Sequence, residues 1–479
     1  MNYRLRHNVE LVERNGEYFL MSKTPLSVLR LNISLANLVG RGADGSPIAA
    51  SAAEQIIMEQ LTTKGFTERL QTVQQQPATF PDVSIIIPVM NRADELRRCL
   101  TSLTQLAYPR EKLQIIVVDD GSSDDSPLVA RQFGALLVPS GGVGRGPAAA
   151  RNVGASFAKG DIIAFIDSDC SASENWLREL LPAFDDPTMA AVGGQVDGMC
   201  NESAVDRYES VMSSLSLGSR ERSGSRGNDT FYLPSCNLLV RANAFRQAGG
   251  FDDSMHVGED VDLTWRLRDK GWTICYMPRG NVLHEHRSSI RSFMSRRFDY
   301  GTSEGMLQRL HPQRRKQMVI PPLLALLLTL CLIAPFSSWW SLAVAAGLLV
   351  VDSVIARFAF IRRNLPVSLP ALISGKLRAL GSLIYYLSFH LVRYYATPLC
   401  VAALLIPGLW AWLLPLLAFV CAARVDYSIR KPPLSFALFS GIYLLEHIAY
   451  GTGVFRGCLS RRCFSSYRVV VLRQMEQTA

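Results

Sequence analysis

The first 70 residues carry two kinds of hydrophobic period. Val9 to Val12 and Tyr18 to Met21 flank Asn15-Gly16, the strongest short signal for a β-hairpin. Helical spacing follows over Pro25 to Leu38 and Ala49 to Lys64, joined by a Gly-rich turn from Gly40 to Ser46. From Ser84 the pattern changes to short apolar runs separated by helical stripes. Ser84 to Val89, Leu113 to Val118, Ala135 to Val138 and Ile162 to Ile166 predict strands; Leu96, Leu100 and Leu103, and then Ala148 to Lys159, predict helices between them. Alternating strand and helix predicts an α/β domain with a doubly wound, Rossmann-like parallel sheet, whose ligands lie at the carboxyl ends of its strands.

Beyond Val319 the polar positions thin out. Val319 to Phe336 and Trp339 to Ala356 are apolar runs of about 17 residues each, near the short limit for crossing a ~30 Å hydrocarbon layer, and basic clusters at their outer ends predict an in-and-out hairpin. Leu372 to Tyr395 carries Lys376, Arg378 and Arg393 and suits an interface. Prolines 398, 407 and 415 interrupt the run from Ala396 to Ala423, and Glu446-His447 interrupts that from Leu434 to Phe455. The expected organisation is a small module over 1–70, a Gln-rich linker over 71–81, an α/β domain over 82–316 and a hydrophobic, membrane-associated helical region over 317–479.

A formal charge of +9 changes this picture little. The arginines cluster beside apolar stretches, at Arg314 to Lys316, Arg357 to Arg363 and Arg456 to Arg468, and no nucleic-acid motif accompanies them. That placement predicts a membrane partner, with the soluble part at the cytoplasmic face of the inner membrane, and no nucleic acid. Ten cysteines without regular spacing, behind a charged start that is no signal peptide, agree with a reducing compartment.

The candidate chemistry lies where strands run into acids. Val117-Val118-Asp119-Asp120-Gly121-Ser122 is a strand ending in two carboxylates, suited to a uracil N–H and ribose hydroxyls or simply to an Asp-Gly turn. Phe165-Ile166-Asp167-Ser168-Asp169 places two acids at i and i+2 of another strand end, one for the ribose side and one for Mg²⁺ or Mn²⁺ bridging a diphosphate. Between them, the glycines 141, 142, 144 and 146 and the helix carrying Arg151 either approach phosphates or form a surface turn. Gly258-Glu259-Asp260-Val261-Asp262 supplies a candidate general base, Asp260, with Glu259 and Asp262 free to neutralise arginines such as Arg266. His284 and His286 either touch metal or are structural.

In this order, Ile85 to Pro88, Val118 to Ser122, Ala150-Arg151-Asn152, Asp167-Ser168-Asp169 and Gly258 to Leu263 resemble family 2 glycosyltransferases of the GT-A fold, over about Pro81 to Gly301. The resemblance implies a nucleotide-sugar donor contacted by Asp119, Asp120, Arg151 and Asp167, a metal on Asp169 with His286 as a further candidate, a catalytic base at Asp260, and inversion at the anomeric carbon. Arg296-Arg297-Phe298-Asp299-Tyr300 stands where processive synthases carry Gln-x-x-Arg-Trp, and the tryptophan is missing. Phe19-Leu20-Met21 and Val28 to Leu31 resemble a PqqD-like winged-helix α+β module that binds leader peptides. Such a module, a family 2 transferase and a hydrophobic tail together resemble the glycosyltransferases of mycofactocin systems, which implies a ribosomally derived peptide cofactor precursor as acceptor and UDP-glucose as donor. A lipid-linked or cell-envelope acceptor, and an inactive membrane-anchored peptide-binding adaptor, are the competing readings.

Overall fold

The structure, a computed structural model, describes residues 2–23, 26–70, 80–224, 229–314, 318–335, 339–396 and 410–471, with 398 and 401. Most of the expected linker, 71–79, lies outside the described residues, as does much of the run from Ala396 to Ala423. The chain forms two compact units: Met1–Gln74 with Met318–Leu387 and Val469–Ala479, and Gln75–Gln317 with Ser388–Arg468.

The first unit begins with β1 (Asn2–Leu5), β2 (Val9–Arg14), β3 (Glu17–Lys23), β4 (Leu26–Leu31), α1 (Ile33–Gly40), β5 (Ile48–Ala49), α2 (Ala52–Thr63) and β6 (Thr67–Arg69). The hairpin forms at Asn15 and Gly16, whose φ values of 52° and 75° suit a tight turn matched to strand twist. The helix expected from Pro25 to Leu38 is instead split. Ser27 to Leu31 pairs with β3 in register Leu20↔Leu29, and the helix starts only where the Asn32 side chain accepts a hydrogen bond from Leu35 N at 2.8 Å. Strand β3 is buried on both faces: Leu20 enters the core of Tyr3, Ile48 and Met58, and Phe19 and Met21 pack on Leu365, Val367 and Leu372 of the same unit.

The second unit holds β7 (Val83–Val89), α3 (Ala93–Thr104), β8 (Leu113–Asp119), α4 (Ser126–Gln132), β9 (Leu136–Pro139), α5 (Pro147–Ser156), β10 (Ile162–Ile166), β11 (Cys170–Ala172), α6 (Trp176–Leu180), β12 (Met189–Gly193), β13 (Val196–Gly198), α7 (Ala204–Met212), β14 (Arg222–Gly224), β15 (Asn237–Arg241), α8 (Ala242–Ala248), α9 (Glu259–Asp269), β16 (Thr273–Tyr276), β17 (Val282–His284) and α10 (Ile290–Leu310). Eight strands form one sheet in the order β14-β16-β12-β15-β10-β7-β8-β9. The half from β10 to β9 is parallel as expected, with apolar cores on both faces. The whole sheet is mixed, because β15 runs antiparallel between β10 and β12. A second small sheet, β11-β17-β13, stands beyond the end of β10.

The hydrophobic stretch expected as one region is shared between the units. The first unit takes α11 (Pro322–Ile333) and α12 (Trp340–Arg362), and α13 (Leu369–His390) follows; α14 (Trp410–Arg430) and α15 (Phe436–Arg461) belong to the second. The hairpin of two spans is not what forms. Helix α11 has 12 residues, about 18 Å at 1.5 Å per residue, too short for the hydrocarbon layer. Among the described residues one helix, α12, is long and apolar enough to cross a membrane, with mean hydropathy 2.1 and 11% of its most apolar window buried. Helix α15 is instead a packed helix of the second unit, set against α10 through facing glycines. A Cβ at Gly301 would strike the Tyr450 carbonyl oxygen, and one at Gly453 the Phe298 carbonyl oxygen. Such contact lets the two backbones approach closely, which no larger side chain permits.

Candidate functional site

Three carboxyl-bearing turns meet at one cleft of about 590 Å³ in the second unit. They follow β8, follow β10, and start α9. The turn after β10 is completed from the small sheet, where β11 and β17 pair Cys170 with His284 and so bring the histidine beside Asp169.

Asp120 is buried on the cleft wall, and its oxygens are occupied. Oδ1 accepts from Ser140 Oγ at 2.6 Å and Arg145 N at 3.0 Å, and Oδ2 accepts from Gly146 N at 2.8 Å. The carboxylate thus fixes the glycine loop. Asp119 stands outside the cleft lining and accepts from Ser122 N at 3.0 Å, closing the turn that Gly121 makes at φ 90°.

Arg151, buried, bridges two acids: it donates to Asp167 Oδ1 at 2.6 Å and to Glu259 Oε1 at 2.8 Å. Burial works against its charge, but the Asp167 and Glu259 carboxylates more than offset this and keep the guanidinium protonated. Burial also works to raise the Asp167 carboxyl, and Arg151 overrides it, holding Asp167 below the usual carboxylate range. Arg151 is therefore a fixed internal counter-ion.

The start of α9 sorts its three acids. Gly258 caps the helix at φ 82°, a conformation that costs glycine little. Glu259 turns inward to Arg151, and Asp262 accepts from Arg266 Nε at 2.7 Å and lies 2.9 Å from His311 Nε2. Asp260 remains on the cleft wall. Its Oδ2 accepts from Ser235 N at 3.1 Å and its Oδ1 from Val261 N at 2.8 Å, and among the described residues no cation is paired with it. Burial, and then the negative charge of Glu259, push its carboxyl up to about 7. A carboxylate with that proton affinity is suited to general-base work near neutral pH.

Asp169 lies with Oδ1 3.6 Å from His284 Nε2 and with Oδ2 2.5 Å from Arg92 Nη1. Ligand atoms of Asp169, Cys170 and His284 fall within 4.8 Å of one another. Of these, Asp169 and His284 offer an oxygen and a nitrogen donor, the kinds that suit a hard divalent cation better than sulfur. That pair fits Mn²⁺ or Mg²⁺ with phosphate oxygens completing the shell. The histidine that faces Asp169 is His284. His286, the earlier candidate, sits behind it, with the two Nδ1 atoms 3.2 Å apart and its own other neighbour Glu209 at 3.6 Å; burial, with His284 beside it, pushes its ring down to about 3.

Two features at or beside the cleft join residues that no single motif in the sequence links. Arg92 belongs to no recognisable pattern, and only the strand that ends at Val89 marks its place. The second is a buried charge cluster: Arg297 donates to Glu209 at 2.5 Å and lies 3.5 Å from Glu446, which accepts from Tyr208 Oη at 2.6 Å. Its signals in the sequence are Arg297, within Arg296 to Tyr300, and the Glu446-His447 interruption of an apolar run, and neither names the other as its partner.

Comparison with known proteins identifies the family. Residues 84–249 match the family model "Glycosyl transferase family 2". The chain is 33% identical over 400 residues to the "Pre-mycofactocin glycosyltransferase" of Mycobacterium tuberculosis, covering 80% of each protein. It is also 33% identical over 205 residues to "Glycosyltransferase AglE" of Haloferax volcanii, covering 42% of this chain and 65% of that one. Among solved structures, mannosyltransferase PcManGT from Pyrobaculum calidifontis, in complex with GDP-Man and Mn²⁺, aligns with a TM-score of 0.40 and 19% identity over 75% of this chain and 90% of that one. By its identity to the mycobacterial protein across four-fifths of both chains, this chain belongs to glycosyl transferase family 2 and, within it, to the mycofactocin-system glycosyltransferases.

Proposed function

We propose that the chain is a metal-dependent inverting hexosyltransferase that takes glucose from UDP-glucose and places it on a ribosomally derived peptide precursor of mycofactocin type. The observation that carries the chemistry is Asp260: of the acids at the start of α9 it alone faces the cleft without a basic partner, and its proton affinity suits a base. The acceptor hydroxyl attacks the anomeric carbon from the face opposite the leaving diphosphate and gives its proton to Asp260. Asp167, Arg151, the loop held by Asp120 and the turn closed by Asp119 form the donor side. Asp169 and His284 hold the divalent cation, which when bound supplies positive charge to the departing diphosphate.

The acceptor assignment is supported by the name of the mycobacterial relative and by the small module over 1–70, whose outer strands β2 and β4 offer edges for an added peptide strand. Attachment to the inner membrane, with the catalytic part on the cytoplasmic face, is supported by α12, which exposes Val344, Val351, Ile355 and Phe358 and ends among Arg357, Arg362 and Arg363.

Single-turnover transfer from UDP-glucose tests the base. Asp260→Asn should lower the rate by about two to four powers of ten while sparing donor affinity, and NMR of the product should show the inverted anomer. Turnover at the wild-type rate would remove Asp260 from the mechanism. A lipid-linked acceptor is the second reading, favoured by the exposed face of α12. Transfer assays of the full chain with a peptide acceptor and with a lipid-linked acceptor, side by side, decide between them: the peptide should be glucosylated at the higher kcat/KM.

A further inference from the structure

Arg92 occupies the same carboxylate that is proposed to hold the cation. Its guanidinium donates to Asp169 Oδ2 at 2.5 Å, and its side chain is 23% exposed on the cleft side. Its backbone is tied down on both sides. Asn91 N donates to Ser122 Oγ at 2.9 Å, Arg92 N to Ser126 Oγ at 3.1 Å, and Ala93 N to Asp124 Oδ2 at 2.9 Å. Asn91 itself is held at φ 53° and accepts from Ser123 N at 2.7 Å. The main chain is therefore anchored to the turn that shapes the donor side, and the long side chain is the part free to change partner.

A guanidinium and a dication compete for one carboxylate, because each repels the other at that distance. Arg287 and Arg296 line the same cleft, so a displaced Arg92 joins two further cations. What relieves that crowding is a polyanion, and a diphosphate matches the planar fork of arginine. We propose that Arg92 is an exchangeable counter-ion, neutralising Asp169 in the absence of a divalent cation and moving to the donor's diphosphate when the cation takes the carboxylate. This rests on the reading of Asp169 as the metal ligand. Its consequence is reciprocal: cation and nucleoside diphosphate each bind weakly alone and strengthen one another.

Titration of the full chain with Mn²⁺, by electron paramagnetic resonance and calorimetry, with and without UDP, tests the exchange. In the wild type UDP should tighten Mn²⁺ binding by at least about tenfold; the absence of coupling would overturn the proposal. In Arg92→Gln, Mn²⁺ alone should bind about tenfold more tightly, UDP alone more weakly, and the coupling should shrink, whereas Arg92→Lys should stay near the wild type. A merely structural Arg92 has no way to improve metal affinity on removal, so unchanged or weaker Mn²⁺ binding in Arg92→Gln counts against exchange. Asp169→Asn separates the two ideas. If it binds Mn²⁺ like the wild type, the metal reading itself falls; if it loses Mn²⁺ while Arg92→Gln fails to tighten it, only the exchange falls.

Discussion

Asp119-Asp120 and Glu259-Asp260 are both adjacent acids at the edge of the same cleft, and they are held in opposite ways. The first pair is consumed by backbone and hydroxyl donors: three bonds on Asp120 fix the glycine loop and one on Asp119 closes a turn. The second pair is divided by helix geometry, since successive side chains on a helix diverge by about 100°. Glu259 is sent into the interior against Arg151, and Asp260 is left on the wall with only backbone donors. A carboxylate whose charge is already compensated builds structure; one whose charge is opposed by burial and by a like neighbour is ready to take a proton.

The largest effect that can break this contrast is on stability. Glu259→Gln leaves buried Arg151 with one counter-ion in place of two, and breaking a buried pair costs about 3–5 kcal/mol. Asp260→Asn removes a charge that burial opposes and loses at most one backbone bond, so it should stay within about 1 kcal/mol of the wild type. Urea unfolding of the two variants side by side measures this. Equal destabilisation would mean that the adjacent acids share one structural role.

Next in size is Asp120→Asn. The amide keeps one acceptor oxygen and turns an N–H₂ toward a loop donor, which costs about 1.5–3 kcal/mol of charge-assisted bonding. The loop 141–146 should then exchange its amide hydrogens faster, and the donor KM should rise while the rate with bound donor is largely kept. A fall in that rate with loop protection unchanged would move Asp120 from the donor side to the chemistry.

How far this division was legible depends on where each partner lies in the chain. The apolar strands Val83–Val89, Leu113–Asp119 and Ile162–Ile166 and the acids at their ends follow from local pattern, because a buried parallel strand is a continuous apolar run. The Asn15-Gly16 hairpin is equally local. Three features depend on partners that no local pattern names. Strand β4 was masked by helical spacing, although Asn32 carried the true start of the helix. The direction of β15 is set by its neighbours. Helix α15 is apolar enough to suggest a membrane, and only Gly301, Gly453 and the buried Glu446 betray that it packs on α10 about 150 residues earlier in the chain. Arg92 was missed for the same reason, since its meaning lies in Asp169 across the cleft.

A smaller effect, about tenfold per pH unit, sharpens the second pair. With its carboxyl near 7, Asp260 is protonated and inert as a base at lower pH, so kcat/KM should fall as pH drops below about 7 and level off above it. The Glu259 charge helps hold that value up, and Glu259→Gln should therefore shift the inflection toward the ordinary carboxylate range. Asp260→Asn should flatten the profile in this window. An inflection that persists there in Asp260→Asn belongs to another group.

The smallest effect is predicted at Asp119, and it tests the first pair most directly. Asp119 makes one turn-closing bond, to Ser122 N at 3.0 Å, and lies outside the cleft lining. In Asp119→Asn the amide oxygen can accept the same bond, so stability and donor KM should barely move. In Asp119→Ala that charge-assisted bond is lost, at about 1.5–3 kcal/mol, which bounds the change in donor affinity at roughly 150-fold even if the whole cost were felt by the nucleotide. Calorimetry with UDP on the two variants separates the possibilities. A loss of about a thousandfold or more in Asp119→Ala, partly kept in Asp119→Asn, exceeds what one turn bond can supply. It would require the carboxylate to reach the nucleotide itself, and the division between a pair that builds the wall and a pair that does the chemistry would no longer stand.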